Sequence, residues 1–252
     1  THTGAISDDE SNFTSKIGIF DGTPEGRGSA PLTGENLELV LNAPIRQLTL
    51  KKIGDRYFNN AIFNQWGASG LAAVWAEENT RNSIFEAFRR KETYATSGTR
   101  IKLRFFAGYD LEASLLDSDD VIKQAYEKGV PMGQDLEASD GLKPSFLIWA
   151  LRDKNSAPLQ RVQIIKGWVE RISGKPHEEV IDVMCSDGLM PDPETNRCPD
   201  NGALVDISDC SISSDVGANE LKTVWTDKSF DPSVKAFYYV RVLENPTCRW
   251  ST

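Results

Sequence analysis

Histidine is scarce in this chain: His2 and His177 are the only two among 252 residues. A structural zinc takes four ligands and a catalytic one usually three plus water, so two histidines this far apart do not complete a metal site by themselves. Basic runs are short, none longer than Arg89-Arg90-Lys91, and 28 Lys and Arg stand against 37 Asp and Glu for a net charge of -9. An acidic surface repels phosphate backbones, which removes nucleic acid from the expected partners. No window approaches the roughly 18 uninterrupted apolar residues that suggest a membrane span. There is no GxSxG, no P-loop, no dinucleotide fingerprint, no internal repeat and no low-complexity tract.

Cysteine is absent from the first two thirds. Cys185, Cys198, Cys210 and Cys248 are separated by 12, 11 and 37 residues, which fits no CxxC metal knuckle. In a segment rich in Pro, Asp and Gly they are expected to form two disulfides, which points to a periplasmic or secreted protein. Of three possible connectivities, local closure favours Cys185 with Cys198 and Cys210 with Cys248, and the sequence leaves the other two open. Oxygen-rich residues between 187 and 206 have the composition of a calcium loop without EF-hand spacing, and equally that of Asx turns.

What is present is organised around residues 67–108. Residues 70–76 form a small, apolar run of strand length, and Asn79 and Thr80 stand where a helix N-cap would. Ile84, Phe85 and Phe88 then share one helical face, and Arg89, Arg90 and Lys91 occupy the last turn, where cations suit the helix dipole. After Ser97-Gly98 the period changes to two: Ile101, Leu103 and Phe105 alternate with Lys102, Arg104 and Phe106 as in a half-buried strand. Upstream, residues 1–33 read as a long polar loop, and Leu37, Val40 and Leu41 as a short helix stopped by Pro44. Downstream, 121–128 is a short helix or a turn-rich bridge, and 129–133 has turn chemistry. Strands are expected at 146–151, 159–169, 180–185 and 237–243. The second of these is apolar on both faces and is therefore expected to be central or covered on both sides.

The blocks GLAAVWAEENTR, RRKETYATSGTRI, RFFAG, GVPMG, PLQRVQIIKGW, NRCPDNGALVD and AFYYVRVLENPTCRW resemble the DUF3604 family of large bacterial proteins, distant relatives of the PHP (polymerase and histidinol phosphatase) metal-dependent phosphoesterases. The resemblance implies an α/β part followed by an all-β part. Residues 1–97 would be the carboxy-terminal remnant of a PHP-like (β/α) barrel, and 98–252 a β-sandwich domain with disulfides. Because such proteins are several hundred residues long and this chain opens at Thr1 without Met, a missing amino-terminal part of the same protein is its expected partner.

The resemblance also suggests a chemistry: phosphoester hydrolysis of a small-molecule ester by divalent metal ions, zinc, manganese or iron, completed by residues outside this chain. Thr1-His2-Thr3 resembles the end of an Asp-x-His metal motif, which makes His2 the candidate metal ligand; the rival reading is an unstructured terminal histidine. Glu77 follows an apolar strand, where a barrel places its chemistry, and Arg81 or Arg100 could grip a substrate anion. Glu77 and Arg81 are the catalytic candidates, against the reading that Glu77 and Glu78 serve the helix dipole and that the arginines pair with acids. His177 lies in a polar turn and is expected to be a solvated surface residue. Trp168 and Trp225 are either sugar-stacking platforms or interior tryptophans. The alternative function is a non-catalytic β-sandwich module that binds a polysaccharide or a partner protein.

Overall fold

A computed structural model of the protein describes residues 25, 28, 30–44, 50–60, 71–139 and 141–248. Among the described residues there are three short helices and eleven strands, the strands pair in small antiparallel sheets, and no sheet closes into a barrel. Helix α1 (Gly34–Leu41) buries Val40 against Leu32, with Leu37 and Leu50 beside them. The hairpin of β1 (Leu50–Ile53) and β2 (Arg56–Asn59) follows.

The next unit is β3 (Ala72–Val74), α2 (Arg81–Arg89) and β4 (Thr93–Ala95), with Ala73 opposite Tyr94 in an antiparallel pair. The helix starts where its cap chemistry says it should: Thr80 is extended, and its hydroxyl accepts from the Ser83 amide at 3.3 Å. Only Ala87 of this helix is buried; Phe85 and Phe88 are 57% and 52% exposed.

From residue 102 onward the chain builds two larger sheets. One has the order β10-β7-β5-β6, from β5 (Lys102–Gly108), β6 (Gly129–Pro131), β7 (Ser145–Leu151) and β10 (Glu220–Thr226). The other has the order β11-β8-β9, from β8 (Leu159–Val169), β9 (Pro176–Cys185) and β11 (Ala236–Glu244). Leu103, Phe146, Ile148, Ala150 and Leu221 of the first sheet share one core with Leu159, Val162 and Ile164 of the second. Because side chains alternate along a strand, Phe106 and Leu147 face the other way. There they meet a 3-10 turn (Ala113–Asp117) and α3 (Val121–Lys128) through Leu115, Val121 and Ala125. The first sheet is therefore covered on both faces, as is β8, whose Val162, Ile164 and Ile165 are almost wholly buried. Both disulfides have the pairing that local closure favours, with Cα separations of 5.7 Å for Cys185–Cys198 and 5.5 Å for Cys210–Cys248.

Candidate functional site

Glu77 lies in the bend between β3 and α2, and Arg81 is the first residue of that helix; both are exposed. The Glu78 amide donates to the Ser83 hydroxyl at 3.1 Å, so the acids stand at a capped helix start. Among the described residues neither Glu77 nor Arg81 makes an ion pair or side-chain hydrogen bond. His2 lies outside the described residues. His177 stacks on Trp168 with ring centres 5.2 Å apart and bonds Glu170 at 2.8 Å, and these contacts fix it on β9. Trp225 packs against Phe146 at 5.8 Å, half-buried.

Among the described residues no three of His, Cys, Asp and Glu stand together as a metal would require, and all four cysteines are in disulfides. The described residues therefore assemble no metal centre by themselves, and no chemical step is derived through one. Three acids of 187–206 are used by turns: Asp192 accepts from the amides of Glu194 and Thr195, Asp200 from Gly202 and Asp206 from Ser208, while Asp187 accepts from the distant Gly217 amide.

Sequence reasoning missed a buried ionic cluster between the β3–α2–β4 unit, β5 of the first large sheet and α3. Glu92, 3% exposed, faces Arg104 at 3.4 Å and Arg90 at 3.7 Å and accepts a short hydrogen bond from the Tyr126 hydroxyl. The Arg104 guanidinium lies 3.5 Å from the centre of the Trp75 ring, whose Nε1 donates to the Leu103 carbonyl at 2.7 Å. Burial and the Glu92 carboxylate push the Tyr126 phenol up. Four elements thus meet at one carboxylate. The one sequence signal was Arg104 in the middle of β5, since Glu92 stands between Lys91 and Thr93 in a polar stretch.

A cleft of about 840 Å³ opens where the two large sheets diverge. Its floor is Phe105, Phe146 and Tyr238, with Phe105 and Phe146 stacked at 5.7 Å. One wall is the segment 130–138. Tyr109 holds it by donating to the Glu137 carbonyl at 2.9 Å and accepting from the Ser139 amide at 3.1 Å. Gly133, at φ +84, passes so close to Lys91 that an added Cβ would lie 2.1 Å from its carbonyl oxygen. The other wall, Phe230 to Phe237, follows Asp227, which accepts from Lys166 at 2.6 Å, from Tyr238 at 2.7 Å and from the Ser229 amide at 2.9 Å. Burial opposes ionisation of Asp227, yet these donors outweigh it and hold its carboxyl below the usual range. Burial and Asp227 together push the Tyr238 phenol up. The cleft therefore has an aromatic floor, a fixed ion pair behind it, and Asp135, Glu137 and Lys235 among its lining residues. It can hold a ligand with an apolar face and polar edges.

The blocks from the last third are bracing. Asn201 donates to the Asn245 side chain at 2.9 Å, and Asn245 donates to the Val216 carbonyl at 2.8 Å. Asp182 accepts from the Cys198 amide and Gln163 at 2.7 Å and from Arg161 at 2.9 Å. Comparison with known proteins adds a family: its model, described as "Protein of unknown function (DUF3604)", matches residues 1–252. No curated protein and no solved structure matches.

Proposed function

The chain belongs to the DUF3604 family, and from that premise we propose that its two packed sheets act as a β-sandwich binding module for a polysaccharide in a secreted or periplasmic protein. The observation that carries this reading is the cleft: aromatic rings on its floor, polar groups along its walls, and walls pinned by Tyr109 and Asp227 so that little ordering is needed on binding. Sugar rings offer C–H faces to aromatic rings and hydroxyls to polar rims, which matches such a lining. The two disulfides suit an oxidising compartment.

The test is calorimetric titration of the 252-residue chain with a panel of oligosaccharides. A binder is expected among them, weakened about tenfold by Phe105→Ala in the cleft floor, the equivalent of about 1.4 kcal/mol. A panel without any binder, or affinity unchanged in a folded Phe105→Ala, refutes the module.

A second reading is favoured by the solvent-facing position of Glu77 and Arg81 at one helix start. In it the complete protein is a PHP-like, metal-dependent phosphoesterase, residues 71–97 border its barrel, and His2 contributes to the metal centre. Phosphatase assay of the metal-supplied whole protein against a diverse ester panel decides it. Glu77→Gln is expected to lower turnover by ~10²-fold if that carboxylate is the general base; unchanged turnover leaves it a helix-start acid.

A further inference from the structure

β11 is an edge strand: it pairs with β8 on one side, and among the described residues no strand pairs with it on the other. An open edge presents a row of unpaired backbone groups, and natural monomers guard such edges with charge, proline, bulges or shortness. The other edges of the two large sheets are guarded in these ways. β6 has three residues and ends in Pro131. β9 starts at Pro176, carries Glu178, Glu179 and Asp182, and shifts register against β8 between Val162 and Gln163. β10 carries Glu220 and Lys222. By contrast β11 runs for nine residues, its register shift comes only between Leu243 and Glu244, and Arg241 is its single charge before that point.

The exposed row of β11 is Phe237, Tyr239 and Arg241. Phe237 is 59% and Tyr239 41% exposed, and their rings are stacked within 9° at 6.3 Å. Phe237 lies over Gly167 of β8, where a Cβ would come within 2.2 Å of the ring. A mid-strand glycine weakens a sheet unless something must approach closely there. Here it makes room for an aromatic ring that nevertheless remains at the surface.

We infer that β11 pairs antiparallel with β11 of a second copy of this chain, about a two-fold axis at Tyr239, joining two three-stranded sheets into one of six. The row is self-complementary, which selects both occupant and register: Phe237 and Arg241 stand either side of Tyr239, so a second copy in this register offers each ring a guanidinium and each guanidinium a ring. Residues directly opposite share a sheet face, and this register sets Phe237 against Arg241 of the other copy, twice, with Tyr239 against itself. A guanidinium over a ring is already used in this fold, at Arg104 and Trp75. Centring on Tyr238 instead sets Lys235 against Arg241, and centring on Arg241 sets two guanidinium groups together. Centring on Val240 leaves Phe237 opposite Leu243. A net charge of -9 on each copy opposes approach, so salt that screens this long-range repulsion strengthens the pair.

Sedimentation of the 252-residue chain over about a hundredfold range of concentration tests this, because dimer formation follows mass action. The mass should rise from 27.9 kDa toward twice that value. Tyr239→Lys should restore the monomer, Arg241→Glu should weaken the dimer at least about tenfold, and Arg241→Lys should retain it. Circular dichroism checks that each variant folds. Should Tyr239→Lys not fold, hydrogen exchange of the wild-type segment 236–244 must slow as concentration rises. A monomer at every concentration, a dimer that survives a folded Tyr239→Lys, or exchange in 236–244 that ignores concentration each overturns the proposal. The monomer result would leave the edge for an extended peptide of another protein.

Discussion

Glu244 sits at the end of β11 with its Oε2 buried and, among the described residues, without a hydrogen-bond partner. Burial is the main cause that lifts its carboxyl from 4.5 to about 7, with the nearby Asp153 adding to it and the bond from Ser156 opposing it. Between those two values the native protein holds a proton that the unfolded chain releases. Stability on this account is therefore full below pH 4.5 and declines as pH rises through 7. Allowing for partial exposure of the side chain, the loss is about 2 kcal/mol. Urea midpoints measured from pH 5 to 8 should show that decline, and Glu244→Gln should flatten it. Asp182 and Asp227 work the other way: their lowered carboxyls add stability that disappears only as pH falls through their native values, in strong acid. Glu92 is the other residue whose loss should be severe. Glu92→Ala leaves Arg104 without its buried partner and should cost about 3 kcal/mol, read as a lower urea midpoint at unchanged slope.

Among the elements, the disulfides offer the cleanest contrast. By loop entropy, Cys185–Cys198, separated by 13 positions, contributes about 3 kcal/mol, and Cys210–Cys248, separated by 38, about 4 kcal/mol. Replacing each pair by Ala and comparing midpoints should rank them in that order; equal losses would show that strain or residual structure outweighs loop length. Which elements were legible in the sequence follows from which interactions shape them. β8 announced itself because Val162, Ile164 and Ile165 are apolar on both faces, and α2 because Thr80 caps the helix that its apolar spacing marks. The first half of β9 was missed, since Pro176 to Glu179 is polar and stands at an edge. β10 was missed because Lys222 and Thr223 interrupt its apolar run, and pairing with β7 supplies what local pattern does not. Phe85 and Phe88 share a helical face as expected, yet that face remains uncovered among the described residues. The Glu92 cluster was illegible for a simpler reason: its members, at 75, 90, 92, 104 and 126, come from separate elements. The cleft likewise gathers four separate segments.

At the scale of the whole molecule, the cleft depends on all of its supports. Its 130–138 wall rests on the end of α2 through Gly133 and Lys91, and Gln134 Nε2 donates to the Arg90 carbonyl at 2.6 Å. Gly133→Ala should therefore disturb ligand binding as well as stability, since a Cβ there meets backbone rather than a yielding side chain; a variant that binds an oligosaccharide as wild type does would detach the wall from the helix. The bridge between Cys210 and Cys248 has a wider consequence. It turns the chain between them into a covalent ring, and that ring carries β10 of one sheet and β11 of the other. Neither strand can drift far from its sheet without dragging the other along. The two layers are thus tethered as links of one closed loop, and the oxidised protein should come apart in a single step.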